Sequence, residues 1–394
     1  MKTHFRLIVL GGGAGGISTA SRILSKKKAL ENEVLIIEPG DYHFFQPGWP
    51  LVGSGEVNLE ATKKETEKVI PKGARWMKAV VDSVDPVKRE VKAGGKTVSY
   101  DFMIVALGLE LDYEAIKGAE KSLGKNGVCT NYLYNYVEYT YESLKNTTGG
   151  NILVTKSQSL IKGGVSAENS LFTMDDFMKK HDRDVDIIFR TGRSEIFEVK
   201  KYSDSLVEQL EAKNIDYKLN EELVEVNGEE KEAVFKNHET GETHTVPFEM
   251  LVITPPMHGP SALKGSGLLD DEGWVDVDKH TMMHNTYTTV FSLGDASNLP
   301  TVKMGGAVRQ QLPILVDNLI QRMDDDDPTH IYDGKTACPI ATGYGELILA
   351  EFGYNKIPKE TTFLDQSDDK KLFYQFKKNM LPIMYWYGML NGKS

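Results

Sequence analysis

The stretch Leu7-Ile8-Val9-Leu10-Gly11-Gly12-Gly13-Ala14-Gly15-Gly16, followed by Ile17, Ala20 and Ile23 at helical spacing, decides how this chain folds. A short apolar run enters a glycine turn and leaves it as an amphipathic helix, the strand-turn-helix unit that opens a parallel sheet. Gly11, Gly13 and Gly16 complete G-x-G-x-x-G: the first permits a tight turn, the second lets backbone approach a pyrophosphate, and the third lets helix pack on strand. Ala14 and Gly15 lie where the N-terminal amides of that helix face the phosphate charge. Glu38 ends the next apolar run, about 20 residues on, where a carboxylate accepts hydrogen bonds from ribose hydroxyls. These residues point to an adenine dinucleotide.

Similar runs recur at Val34 to Ile37, Phe102 to Ala106, Ile152 to Val154, Val185 to Phe189, Leu251 to Ile253 and Val290 to Leu293. Several are continuously apolar, as strands covered on both faces must be. Helical stretches separate some of them, Gly16 to Lys27 and Ser203 to Asn214 among them, so the class is α/β. Val80 to Tyr100 and Lys218 to Pro247 alternate around turns as antiparallel inserts do. The expected architecture is two Rossmann-like dinucleotide-binding domains with antiparallel inserts and a C-terminal helical segment. Residues 1–115 with 285–325 form the first domain, 116–284 the second, and 326–394 a C-terminal segment.

The chain has 394 residues, 40% hydrophobic and 26% charged, with a net charge of −11. That composition describes a globular chain, and its acidity disfavours a nucleic-acid partner. Cys129 and Cys338 lie far apart and form neither a disulfide framework nor a zinc motif, which favours a reducing compartment. The N-terminus passes directly into a strand, so no leader is expected and a cytoplasmic location follows, or one at the inner face of a membrane. His280 and His284 stand four apart without a carboxylate pattern, and no metal is expected. Asp324 to Asp327 reads as a solvated loop.

Val290-Phe-Ser-Leu-Gly294-Asp295-Ala-Ser-Asn298 resembles the second FAD fingerprint of the two-dinucleotide-domain flavoproteins, and Val105-Ala106-Leu107-Gly108 resembles their mid-chain turn. FAD is therefore the expected cofactor. In the second half the strand at Ile152 runs into Thr155-Lys-Ser-Gln-Ser-Leu-Ile-Lys-Gly163, with no glycine where a nicotinamide dinucleotide would lay its pyrophosphate. Neither a CxxC nor a CxxxxC pair is present, which argues against NADH dehydrogenases and disulfide reductases.

Longer blocks are more specific: Glu38-Pro-Gly-Asp-Tyr-His-Phe-Phe-Gln46-Pro-Gly-Trp49, Leu107-Gly-Leu-Glu-Leu-Asp-Tyr113, Gly294-Asp-Ala-Ser-Asn-Leu-Pro-Thr-Val-Lys303 and Tyr332-Asp-Gly-Lys-Thr-Ala-Cys338-Pro-Ile340-Ala-Thr-Gly-Tyr344. In these the chain resembles the sulfide:quinone oxidoreductase family. The resemblance implies cofactor contacts at Gln46, Val81, Ala106, Gly108 and Asp295, with Lys303 as a cation near the flavin. It implies that sulfide and a thiol or other sulfur acceptor react at two cysteines, that electrons pass to FAD, and that a quinone accepts them. Cys338 matches the second of those cysteines. The first falls in Ile161-Lys162-Gly163-Gly164-Val165, where Gly163 carries no sulfur, and one thiol cannot form the intramolecular bridge. Cys129 matches a third cysteine that bonds flavin in some members; a packed free thiol is the competing reading.

The segment from Leu372 to Leu390 mixes aromatics, methionines and lysines, and its charge-free part is shorter than the roughly 20 residues that cross a bilayer. An interfacial helix with weak peripheral membrane contact is expected, and the resemblance implies quinone contacts at Ile340, Phe376 and Lys377. Homo-oligomerisation stays open. The alternative to an active enzyme is an FAD-binding paralogue with impaired or no catalysis that serves as a binding partner.

Overall fold

The computed structural model describes residues 2–393. Its first sheet carries Ala74–Met77, Val34–Ile37, His4–Leu10 and Lys96–Val105 in parallel, in that spatial order. The long strand Lys96–Val105 is shared. Its first half pairs antiparallel with Glu90–Ala93, which in turn pairs with Val81–Asp85, while its last residues pair in parallel with Val290–Ser292. The expected insert after Val80 is thus a hairpin fused to the parallel sheet. Leu7, Ile8, Val9, Leu10 and Ile104 are fully buried, as a sheet covered on both faces requires. The first helix, Ala14–Lys26, starts two residues earlier than the apolar spacing indicated, because its opening turn is made of glycines that carry no periodicity.

A second sheet, all parallel, runs Val128–Cys129, Met250–Val252, Gly149–Lys156, Asp184–Thr191 and Asp216–Lys218. Helices Ser166–Lys180 and Lys200–Ala212 connect its strands, and the antiparallel insert Glu221–Asn227, Glu232–Asn237 and Thr243–Pro247 lies beside it. The hairpin Thr336–Gly343 with Glu346–Phe352 is an addition that the sequence reading did not contain. Its strands are mostly buried, so they lack the alternation that marks a half-exposed hairpin. The aspartates 324–327 are exposed, as a solvated loop should be.

After the hairpin the chain is helical from Lys371 to Asn391, with wide π turns at Phe376–Met380 and Met384–Gly388. Between them stands Pro382, which has no N–H to give. Tyr385, Trp386, Met389 and Leu390 pack into the core of the first sheet. Leu372, Phe376, Met380, Ile383 and Tyr387 form an exposed stripe at intervals of three and four. No helix among the described residues is long and apolar enough to cross a membrane.

Ile104 is fully buried, paired with Val9 on one side and Phe291 on the other. Ile104→Ala should cost about 2–5 kcal/mol, the loss of a buried branched side chain plus its cavity. Asp326→Ala in the exposed run should stay within about 0.5 kcal/mol. Denaturant midpoints measured at constant m-value test the contrast.

Candidate functional site

The glycine turn is built by close backbone approach. Gly11 has φ +97°, and a Cβ there would stand 2.3 Å from the Ala106 carbonyl oxygen; at Gly16 it would stand 1.9 Å from the Gly11 carbonyl oxygen. Gly13 differs, because a Cβ on it would meet nothing within 4 Å. Open space therefore faces the second glycine of the motif, where the backbone approaches a pyrophosphate. The helix behind it has no side-chain N-cap and no acidic residue in its first turn, so its first amides stay available to an anion.

Glu38 sits at the tip of the neighbouring strand and is anchored at both oxygens: Gly12 N donates to Oε2 and Gly40 N to Oε1, each at 2.7 Å. Each oxygen keeps a second lone pair for a ribose hydroxyl. His43, which the sequence reading did not single out, closes the turn from behind. Its Nδ1–H donates to the Gly12 carbonyl at 2.9 Å, so Nε2 accepts from the Tyr385 hydroxyl at 2.6 Å. Burial lowers its pKa to about 4, and the ring is neutral at physiological pH. Only the fold reveals this role, since Tyr385 stands far off in the chain.

Ala106 and Gly108 follow the shared strand, and Gly294 and Asp295 follow the strand that pairs with it. Gly294 N donates to Gln311 Oε1 at 2.9 Å. Burial raises the Asp295 pKa, opposed by Lys303 and Lys162. Lys303 is itself buried; it donates to the Ser297 carbonyl at 2.8 Å and lies 3.7 Å from the Trp274 ring centroid. Burial lowers its pKa to about 8. Val81 is buried in the core of the first sheet, and Gln46 is exposed on a short turn.

The corresponding helix of the second half has a different first turn. Helix Ser166–Lys180 carries Glu168 in its first turn, where a carboxylate opposes a bound phosphate. Glu168 is paired in the interior with Lys156 at 2.5 Å. The loop before this helix runs instead to Lys303: Gly163 N donates to the Lys303 carbonyl at 2.7 Å. Cys338 is fully buried with its sulfur 2.9 Å from that of Met304. Gly163 and Cys338 therefore reach the adjacent residues Lys303 and Met304. Burial pushes the Cys338 thiol well above its usual pKa, which leaves it little thiolate character. Gly163 has φ +58°, and a Cβ on it would meet nothing within 4 Å.

Cys129 is enclosed in the core of the second sheet, its thiol pushed up to about 12 by burial. Its S–H donates to the Gly127 carbonyl at 3.3 Å. His280 and His284 are spent on the carbonyls of Tyr332 and Leu268, and no metal-binding cluster exists among the described residues.

Beside the C-terminal helix lies a mainly apolar cavity of about 190 Å³, lined by Phe45, Leu51, Pro339, Lys377 and Leu381 among others. Of the three residues expected to meet a quinone, Lys377 lines it. Ile340 is buried in the hairpin strand next to Pro339, and Phe376 is part of the exposed stripe. Phe45 and Leu51 were missed, because no local pattern in residues 45–51 shows that a segment more than 300 positions away covers them.

The glycine cradle, Glu38 and the Asp295–Lys303 pair suit an adenine dinucleotide bearing a redox ring. Residues 5–312 match the family model described as pyridine nucleotide-disulphide oxidoreductase. The chain is 40% identical over 395 residues to the mitochondrial sulfide:quinone oxidoreductase of Mus musculus, covering 99% of this chain and 87% of that protein. It is 39% identical over 398 residues to the mitochondrial sulfide:quinone oxidoreductase of Dictyostelium discoideum, covering 100% and 87%. The solved sulfide:quinone oxidoreductase of Aquifex aeolicus has the same fold, with a TM-score of 0.83 at 19% identity over 100% of this chain and 92% of that one. The chain belongs to the pyridine nucleotide-disulphide oxidoreductases and, within them, to the sulfide:quinone oxidoreductase family, a family of flavoenzymes.

Proposed function

We propose that this chain is an FAD-dependent oxidoreductase acting between sulfide and a quinone, with its sulfide half impaired at Gly163. One observation carries the reading: the two positions expected to bear sulfur converge on Lys303 and Met304, and only one of them has a thiol. FAD, when bound, supplies the two-electron relay between the sulfur side and the quinone side. In this reading residues 1–115 with 285–325 hold it, 116–284 carry the sulfur-side loop, and 326–394 cover the quinone cavity.

The residues then take distinct tasks. Gly13, Ala14, Gly15 and Gly16 offer backbone amides to the pyrophosphate, and Glu38 takes the ribose hydroxyls. Asp295 and Lys303 set the charge around the ring, where a buried cation favours the anionic reduced form. Gln46, Val81, Ala106 and Gly108 border the cofactor. Cys338 is the surviving sulfur nucleophile. Its high pKa and lack of a partner thiol disfavour the persulfide exchange that a cysteine pair performs. Lys377 offers an N–H to a quinone carbonyl in the apolar cavity, with Ile340 behind it and Phe376 at the membrane side. The exposed stripe from Leu372 to Tyr387 supports shallow insertion of the C-terminal helix among lipid headgroups. The enclosed position of Cys129 favours the packed thiol over a bond to flavin.

A second reading follows from the same glycine. A chain that keeps the flavin cradle and loses the cysteine pair also suits a binding partner without sulfide turnover.

Purified protein should carry FAD that heat releases into the supernatant, identified by chromatography; recovery of NAD instead, or flavin left on the denatured chain, contradicts the cradle or the Cys129 assignment. Sulfide should bleach that flavin slowly or not at all in a stopped-flow trace. Gly163→Cys should speed the bleaching, because the space beside residue 163 is open, at about 1–2 kcal/mol of backbone strain from the left-handed φ. Adding Cys338→Ser to that variant should cancel the gain. Fast bleaching in the native chain that survives Cys338→Ser alone would rule out the cysteine route.

Sedimentation with liposomes addresses the exposed stripe. Binding should be weak and nearly independent of salt, since Lys378 is already paired with Glu56 and Lys377 is buried. Replacing Met380 and Ile383 by serine should abolish it.

A further inference from the structure

Helix Ser166–Lys180 begins three residues after Gly163, and its first turn carries the buried Asn169. The Asn169 side-chain oxygen accepts two hydrogen bonds, from Ala341 N at 2.6 Å and from Lys377 Nζ at 2.7 Å. Lys377 gives another N–H to the Pro339 carbonyl at 3.1 Å. An ammonium has three N–H groups. The third has no protein acceptor among the described residues, and Lys377 lines the apolar cavity.

We propose that Asn169 is a positioning residue for quinone reduction: it clamps the Lys377 ammonium against the Ala341 amide and leaves one N–H for a quinone carbonyl oxygen in the cavity. This rests on reading that cavity as the quinone site. Reduction of a quinone to a quinol takes two electrons, here from the reduced flavin, and two protons. Lys377 supplies one proton, an N–H bond breaking as an O–H bond forms, and regains it from water; water supplies the other at the second oxygen and takes up the proton that flavin oxidation releases.

The choice of an amide matters because burial opposes a charge on Lys377 and brings its pKa to about 7. A neutral oxygen orients the ammonium without holding its proton as a carboxylate would. Few charges surround it. Glu56 faces Lys377 from the segment after Trp49–Gly53 and is ion-paired with Lys378 at 3.0 Å. Glu168, beside Asn169 on the same helix, is committed to Lys156, and strand Thr336–Gly343 adds only the buried Cys338 thiol.

The test isolates the quinone half by mixing photoreduced holoenzyme with decylubiquinone and following flavin reoxidation from mildly acidic to alkaline pH. The rate should fall as Lys377 loses its proton. Asn169→Asp should move that fall upward by about one pH unit, and Asn169→Leu should move it downward by a similar amount. Lys377→Met should remove it. Decylubiquinone binding to the oxidised protein, read by tryptophan fluorescence quenching, should weaken about tenfold in Asn169→Leu. Melting curves identify a variant that fails to fold, and the Asn169→Asp shift then decides alone. An unmoved pH profile in folded Asn169 variants, with Lys377→Met still abolishing the fall, overturns the role of Asn169 and leaves the quinone reading standing. A Lys377→Met protein with unchanged profile and binding overturns both.

Discussion

Everything in the molecule hangs on a backbone approach so close that no side chain fits. The carbonyls of Ala106 and Gly11 lie where Cβ atoms of Gly11 and Gly16 would stand, at 2.3 and 1.9 Å. That contact sets the first helix against the two central strands, with open space where a Cβ of Gly13 would stand. It also fixes the position of Gly12, whose N–H anchors Glu38 and whose carbonyl anchors His43. Through His43 the turn reaches Tyr385, so the glycine turn and the C-terminal helix share one hydrogen-bonded frame.

A second junction sits at Lys303 and Met304. Lys303 takes the amide of Gly163 on its carbonyl, and its ammonium lies over Trp274 near Asp295. Met304 touches the buried thiol of Cys338. The loop at Gly163 and the strand carrying Cys338 therefore meet at two adjacent residues. The left-handed backbone at Gly163 suits glycine.

The fold was legible wherever its causes are local. The Gly11 to Gly16 turn demands glycine for reasons visible within six residues, and Val34–Ile37 is a buried strand whose apolar run ends at the strand ends. The hairpin beginning at Thr336 was not legible, because burial of both strands erases the polar alternation. In the candidate site, Glu38 was singled out by its spacing, and Asp295 and Lys303 by their motif. His43 and Asn169 were not. Their partners Tyr385 and Lys377 lie hundreds of positions away, and neither pair leaves a periodic mark on the sequence.

The sharing of Lys96–Val105 between an early hairpin and the late strand Val290–Ser292 sets the order in which the chain can be assembled. During synthesis the strand pairs at once with Glu90–Ala93, while the edge formed by Met103 to Val105 waits for some 180 residues that build another sheet. Pairings of such sequence separation close slowly, and an unpaired apolar edge is a template for association with other chains. The nascent protein thus carries an open sheet edge until residue 292 emerges. A strand edge that stays open through most of synthesis is the hazard that this one shared strand builds into the fold.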